Sequence, residues 1–232
     1  FNISRSFKLP IGNDIGTATS EFQANADIEP ISSMNYEVGF RWGCWKEFSG
    51  SLALYHSELR DDIQYNPFAK PWGQNQNFDE TRNGIELALQ SSPVQWLNLN
   101  LNYTLQESRF EGGEYDGNQI PQVPQHIISG GLAWTPVKWF RWSWEAVYAR
   151  DQVPTNDLRN DFDRNDYFVI NTRMSWTPCK HSEVYLAVNN ILDTLYETYP
   201  AVSSPEWATG KQTRYYNPAP GLTVYGGLSV KF

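Results

Sequence analysis

The segment Gln95–Gln106, QWLNLNLNYTLQ, alternates between apolar and polar side chains from Leu97 onward. Leucine and tyrosine occupy every second position from Leu97 to Leu105, and asparagine and threonine fill the positions between them. Successive side chains of a strand point to opposite faces, so the segment predicts a strand of about ten residues with one apolar and one uncharged polar face. A soluble β-sandwich and a β-barrel can both contain such a strand, so the rest of the chain has to distinguish them.

The same alternation returns along the whole chain and predicts an all-β fold of about ten antiparallel strands. Short turns, two of them with the repeated sequence Trp-Thr-Pro, join the strands at one end, and long polar loops join them at the other. The short turns are expected at residues 43–46, 91–93, 135–138 and 177–180. The long loops are expected at residues 8–32, 58–82, 108–125, 151–165 and 191–221.

Tryptophan is abundant, with ten residues among 232, and most of them fall at the short-turn end. Those at this end are Trp42, Trp45, Trp96, Trp134, Trp139 and Trp176. Tryptophan is enriched where a bilayer meets water. A soluble sandwich has no reason to collect its tryptophans at one level, so the distribution favours a membrane protein.

The two faces of the predicted strands also differ in charge. The apolar face holds almost no charged residue, and a Lys or Arg at mid-bilayer would cost roughly 2–4 kcal/mol. The opposite face holds charges that a dry core would not tolerate, namely Glu37, Arg41, Glu86, Arg141, Glu145, Arg173 and Glu183. We therefore predict a transmembrane antiparallel β-barrel of the bacterial outer membrane, or part of one.

The net charge, the N-terminal residues and the two cysteines each bear on the partners and the processing of the chain. The net charge of −8, without a basic stripe, makes nucleic acid an unfavourable partner. The N-terminal residues FNISRSF contain no basic-then-apolar leader, so we expect any signal peptide to be removed or to lie upstream. Cys44 and Cys179 fall in separate short turns, and we expect free thiols rather than a disulfide.

Several short motifs, in order along the chain, connect it to a known family. They are FKLP at 7–10, NYEVGF at 35–40, NNILD at 189–193 and NPAPG at 217–221. The final strand, VYGGLSVKF, ends in Phe232 and looks like the signal that directs assembly of bacterial outer-membrane barrels. Together these stretches cover almost the whole chain, which resembles the C-terminal part of a TonB-dependent outer-membrane receptor of the siderophore or cobalamin type.

The resemblance implies a barrel of 22 strands with a plugged lumen. Residues 1–232 would be the C-terminal portion of that barrel, with the plug domain and the first barrel strands outside the sequence. It implies energised import of a scarce ligand, a ferric siderophore first and a cobalamin-like ligand second, and no enzymatic activity. The implied partners are membrane lipid, the remaining strands and plug, and the TonB energising complex acting through the plug. The charged polar face would contact the plug, or would be solvated in a wet lumen.

The fifth long loop combines aromatic and cationic side chains, which suits an anionic, ring-bearing iron chelate. The candidate ligand-binding residues are Tyr196, Tyr199, Trp207, Lys211, Arg214, Tyr215 and Tyr216. The alternative is that these rings pack the loop against its neighbours. Both interpretations remain open on the sequence alone.

Other candidate sites are weaker. Hard oxygen ligands for Ca²⁺ are present in the fourth loop at Asp157, Asp161, Asp163 and Asp166, although their spacing does not match an EF-hand and a solvated acidic loop is the alternative. His56 and His126 fall near the long-loop end, where a self-contained ten-stranded barrel enzyme such as a protease would keep its histidine. No Ser-His-acid constellation accompanies them. A structural, porin-like barrel is a third possibility.

Overall fold

Ten antiparallel strands form one continuous sheet in the computed structural model, which describes residues 1–16, 24–45, 47–69, 73–206 and 209–230. Its strands are β1 (Asn2–Lys8), β2 (Ile31–Trp45), β3 (Phe48–Asn66), β4 (Gln74–Val94), β5 (Leu97–Glu111), β6 (His126–Val137), β7 (Phe140–Gln152), β8 (Asn165–Cys179), β9 (Ser182–Asn189) and β12 (Thr223–Val230). Two short strands, β10 (Ala201–Val202) and β11 (Arg214–Tyr215), form a separate ribbon, and α1 (Gly12–Ile15) is a single helical turn. The predicted all-β architecture is confirmed.

Each strand of the large sheet pairs with the strand that precedes it in the sheet, and β12 lies beside β9. The outermost strands are β1 and β12, and within the described residues neither pairs with a further strand on its other edge. The sheet is therefore an open segment of a barrel wall. No helix of the described residues is long and apolar enough to cross a membrane.

The hairpins β2–β3, β4–β5, β6–β7 and β8–β9 leave only two residues between their strands. The last three contain a register shift that holds a proline, at Pro93, Pro136 and Pro178. Proline has no N–H to give to the ladder, so a bulge is where a strand accepts it. We expected the prolines to lie in the turns themselves, but the strands continue past them to Val94, Val137 and Cys179.

The bulges also join neighbouring hairpins into one rim. Thr135 N–H donates to the carbonyl oxygen of Trp96 at 2.7 Å, and Thr177 N–H donates to that of Trp139 at 2.8 Å. The Trp-Thr-Pro repeat therefore has a structural role, because each copy places a backbone donor against the turn of the preceding hairpin. The Cys179 thiol is free and exposed at this rim, and the side chain of Cys44 lies outside the described residues.

The prediction of a long loop at residues 58–82 is wrong. Strands β3 and β4 remain paired as far as Asn66 and Gln74, so the connection is only residues 67–73. Beyond the bilayer neither face needs to be apolar, so a strand can continue without the alternation that reveals it. We call residues 58–66 and 74–82 the outer ribbon. The other loops lie near their expected positions, with β2 beginning at Ile31 and β5 ending at Glu111.

The apolar face of the sheet is exposed rather than packed. Phe40 is 66% exposed and Leu228 is 67% exposed, and the exposed apolar side chains continue from β2 to β12. Of the six tryptophans predicted to form an interfacial girdle, Trp96, Trp134, Trp139 and Trp176 are exposed at the short-turn end. Trp42 is half-buried, and the side chain of Trp45 lies outside the described residues. Tyr36, Tyr103, Tyr148 and Phe168 mark the other end of the same face. An apolar surface of this extent fits lipid and not water.

The buried core is small and lies at the long-loop end. Phe110, Tyr115, Ile120 and Leu158 form it, and Phe68, Phe78 and Val123 pack against it. These residues come from β4, β5, the 67–73 connection and the third and fourth loops. The loops are therefore anchored to the outer ribbon and do not depend on the membrane-spanning wall for their packing.

Candidate functional site

The polar face of the wall carries the charged residues expected to face the lumen. Strand pairing places Glu37, Arg41, Glu86, Arg141, Glu145, Arg173 and Glu183 on this face, opposite the apolar band. A concavity of about 690 Å³ includes Glu37, Arg41 and Glu86 in its lining. A second, of about 390 Å³, includes Arg141, Glu145 and Arg173. The charges are thus presented from concave, water-accessible surfaces.

One ion pair joins two members of this charged set. Arg173 donates to Glu183 at 3.0 Å, and its guanidinium lies 4.0 Å from the centre of the Tyr185 ring. Across the described part of the chain, no ion pair is formed by Glu37, Arg41, Glu86, Arg141 or Glu145. Charges of both signs are therefore available to a partner that enters the lumen.

Arg214, expected to contact ligand, is instead engaged within the loops. Its guanidinium donates to Glu197 Oε2 at 2.7 Å and to the carbonyl oxygen of Asp163 at 3.2 Å. Glu197 Oε1 accepts a further hydrogen bond of 2.6 Å from the Asn217 backbone N–H. The side chains of Arg214 and Glu197 are only 17% and 8% exposed. This arrangement fastens both ends of the fifth loop to each other and to the fourth loop.

The remaining candidates of the fifth loop divide into packed and exposed residues. The Tyr196 ring packs against Tyr167 with centroids 5.2 Å apart. Tyr199, Tyr215 and Tyr216 are exposed, Tyr216 to 77%, and Lys211 is exposed beside them in sequence. Trp207 lies outside the described residues, as does Phe232, the expected assembly signal. Among the described candidates of the fifth loop, the exposed tyrosines and Lys211 are therefore the side chains that a ligand could reach.

Buried amide side chains hold the fourth and fifth loops together, and sequence reasoning missed them. Asn165 Nδ2 donates to the Glu197 carbonyl oxygen at 2.8 Å, and Gln212 Nε2 donates to the carbonyl oxygens of Asn156 and Ser203 at 2.9 Å each. Backbone bonds connect Thr155 with Pro200 and Val202. Asparagine and glutamine are common in solvated loops, so no sequence signal separates these structural amides from the others. The two loops form one braced unit.

The four aspartates proposed to bind calcium do not converge on one point. Asp157 is buried and accepts hydrogen bonds from the backbone N–H groups of Asp161 and Phe162 at 2.9 and 3.1 Å. Burial raises the pKa of this carboxyl group, which lies in the loop outside the membrane. Asp166 accepts from the Asp151 N–H. No group of three or more His, Cys, Asp and Glu side chains in the described ranges is arranged to hold a metal ion.

His56 and His126 lie on the apolar face. His56 Nδ1 is 2.8 Å from Asn83 Oδ1, and His126 Nδ1 is 3.0 Å from the Tyr103 hydroxyl oxygen. Each ring stacks on a tyrosine, Tyr36 and Tyr103 respectively. The two histidines belong to the outer rim of the lipid-facing band. This placement does not support a catalytic role in a barrel enzyme.

Comparison with known proteins agrees with this geometry. A family described as "TonB dependent receptor-like, beta-barrel" matches residues 1–191. The iron-regulated outer membrane virulence protein of Vibrio cholerae serotype O1 is 23% identical over 184 residues, which are 73% of this chain and 28% of that protein. The chain therefore spans less than a third of this relative.

Solved structures share the fold. The siderophore receptor PiuA from Acinetobacter baumannii matches with a TM-score of 0.73 and 21% identity, over 98% of this chain and 33% of that one. The copper transporter OprC matches with a TM-score of 0.78 and 14% identity, over 99% of this chain and 36% of that one. At these identities the likeness concerns the fold alone. The family match, the lipid-facing band and the charged polar face lead to one conclusion: this chain belongs to the TonB-dependent receptor-like β-barrel family of the bacterial outer membrane.

Proposed function

We propose that residues 1–232 are the C-terminal portion of the barrel of a TonB-dependent receptor that imports a scarce ligand across the outer membrane. The open edges at β1 and β12 support a larger barrel, since an unpaired strand edge inside a bilayer leaves backbone groups without partners. The relatives named above are roughly three times as long as the matched region, which also supports further strands and a plug.

The observation that carries this proposal is the set of unpaired charges on the polar face. Glu37, Glu86 and Glu145 are negative and Arg41 and Arg141 are positive, yet none of the five has an ion-pair partner among the described residues. A plug with complementary charges would satisfy them. Ion pairs in a wet lumen are individually weak, of the order of 0–1 kcal/mol each, so such a contact can be displaced when the TonB complex pulls on the plug.

The ligand we propose is a ferric siderophore, with a cobalamin-like molecule second. The exposed tyrosines and Lys211 of the fifth loop support an anionic ring-bearing ligand, because aromatic faces stack on rings and the ammonium attracts negative charge. We include Trp207 and Tyr196 in the binding loop. The names of the Vibrio and Acinetobacter relatives favour iron, whereas the copper transporter shows that this fold serves more than one cargo.

Ligand binding tests the proposal in the intact receptor. Ferric and iron-free forms of catecholate and hydroxamate siderophores would be titrated against the detergent-purified protein while tryptophan fluorescence is followed. Saturable quenching by one ferric chelate, weakened at least about tenfold by the double substitution Tyr215→Ala and Tyr216→Ala, is the expected result. Tyr36→Ala, on the lipid face, is the matched control. No saturable change with any chelate or with cobalamin would instead favour a structural, porin-like barrel.

A further inference from the structure

A buried carboxyl cluster lies on the polar side of the outer ribbon, outside the membrane. Glu80 is three residues beyond Asn83, which pairs with His56 at the outer rim of the apolar band. A transmembrane β-strand needs about ten residues, and those between Asn83 and the short turn supply them. Glu80 is nevertheless 0% exposed.

The carboxyl groups of Glu80 and Asp62 both lie against the side chains of Gln64 and Arg82. Gln64 Nε2 donates to Asp62 Oδ2 at 2.9 Å and to Glu80 Oε1 at 3.3 Å. Arg82 donates to Glu80 Oε2 at 2.8 Å, and its guanidinium is 3.9 Å from Asp62 Oδ2. Two carboxyl groups therefore face one guanidinium and one neutral amide.

Among the described residues, no second cation pairs with this cluster. Strand β5 faces Glu80 and Arg82 with Phe110 and Ser108, which carry no charge. Asp79 and Arg60 pair with each other at 2.8 Å. In the third loop, Glu114 is engaged by Arg159, Asp116 accepts the Gly112 N–H, and the Tyr115 hydroxyl donates to Asn66. Of the described residues, Asp62 and Arg82 are thus the charged groups that act on Glu80, and one proton makes these three side chains neutral in sum.

Two donors of the cross-strand pair Arg82–Ser108 have no hydrogen-bond partner among the described residues. Arg82 Nε and Ser108 Oγ are buried without a hydrogen-bond partner, and they belong to residues that pair directly across β4 and β5. Ser108 is only 1% exposed. Buried donors without partners are rare and costly, so this pair marks a place where an acceptor would be stabilised.

We propose that Glu80 is a proton-operated latch of the outer ribbon. With a proton, Glu80 donates to Asp62 and ties β4 to β3. Without it, the carboxylate repels Asp62, leaves Gln64 and takes the unused donors Arg82 Nε and Ser108 Oγ on the β5 side. Burial, and then the neighbouring Asp62, raise the pKa of Glu80 to about 7, so the latch would respond within the neutral range.

The latch is positioned to move the third loop. Asn66, at the end of β3, accepts from the Tyr115 hydroxyl at 3.2 Å, and Tyr115 packs on Phe110 and Phe78. Phe110 is the cross-strand partner of Glu80. Releasing β3 from Glu80 would therefore loosen the anchor of loop 112–125 above the lumen. This inference does not depend on the identity of the ligand.

Hydrogen–deuterium exchange of the intact receptor between pH 6 and pH 8, corrected for intrinsic exchange, tests the latch. A group with a pKa near 7 passes from about 10% to about 90% ionised over this range. We expect peptides covering the outer ribbon and residues 107–126 to lose protection as the pH rises, and Glu80→Gln to remove that dependence. Glu58→Gln, an exposed carboxyl on the same ribbon, is the matched control and should leave the dependence unchanged.

Asp62→Asn gives an independent readout if the Glu80→Gln protein does not fold. Removing the like charge should lower the midpoint of the wild-type transition by about one pH unit or more. In the wild-type protein, an infrared band of a protonated carboxyl group should be present at pH 6 and absent at pH 8. The pH midpoint at which this band disappears should shift in Asp62→Asn by the same amount as the exchange midpoint. A wild-type exchange profile that is flat with pH, or a midpoint that Asp62→Asn leaves in place, would overturn the latch.

Discussion

Arg214 and Glu197 meet at 2.7 Å between the fourth and fifth loops, with most of both side chains removed from water. Sequence reasoning assigned this cation to ligand binding, whereas in the structure it holds together the loop that we propose to bind the ligand. Because Asn217 and Asp163 bond to the same pair, the fifth loop is closed at its base and tied to the fourth loop. Its exposed tyrosines therefore lie on a braced loop, which would reduce the entropy lost if they bind the proposed ligand.

Breaking this pair should loosen the loop. Arg214→Ala leaves the Glu197 carboxylate buried without its cation, and removing one partner of a buried pair costs roughly 3–5 kcal/mol. We expect faster proteolytic cleavage within residues 191–221 of the intact receptor, and weaker ligand binding. Lys211→Ala, an exposed cation in the same loop, should leave the cleavage rate unchanged. Equal cleavage of the Arg214→Ala and wild-type proteins would contradict the proposed bracing of the loop.

The two faces of β5 should respond oppositely to one substitution. Leu101→Arg places a cation on the lipid face and should cost roughly 2–4 kcal/mol, whereas Asn102→Arg places it on the polar face and should cost little. The free energy of unfolding from lipid vesicles measures the difference. Similar losses for the two variants would show that the faces are assigned incorrectly.

The charges of the polar face should be needed to seat the plug. Reversing both unpaired cations, Arg41→Glu and Arg141→Glu, should weaken the contact and let large hydrophilic antibiotics enter cells that are normally impermeable to them. Arg109→Glu, which disturbs a pair with Glu107 near the outer end of β5, is the control and should leave the cells impermeable. Unchanged permeability of the double variant, at equal amounts of receptor in the membrane, would count against a plug held by these charges.

Asp157 should behave as a loop cap and not as a calcium ligand. Its raised pKa means that the native carboxyl holds its proton to a higher pH than the unfolded one, so its contribution to stability falls as pH rises through the native pKa. Asp157→Asn should therefore be tolerated, and Asp157→Ala should cost about 1–2 kcal/mol from lost caps to Asp161 and Phe162. Thermal unfolding of both variants and of the wild-type protein, with and without a chelator, measures these changes in stability. A wild-type Tm that the chelator lowers would instead support a calcium site.

The bilayer determines how much of this fold could be predicted. Where lipid covers one face, as at Leu101 and Asn102, alternation is obligatory and the strand and both its faces follow from the sequence. Beyond the bilayer that requirement ends, so the outer ribbon was mistaken for a loop and Glu80 was overlooked. The short turns were predicted to contain the prolines, but a bulge allows a strand to include a proline such as Pro136. The Arg214–Glu197 pair depends on loop packing, which leaves no periodic signal.

The intact mass of the native polypeptide, extracted from outer membranes with detergent, tests the central claim most directly. A receptor with further strands and a plug should have a chain more than twice as heavy as the 26.7 kDa of these residues. A native chain of 26.7 kDa would contradict that claim, because ten strands would then have to close a barrel alone and no part of the protein would remain to fill the lumen.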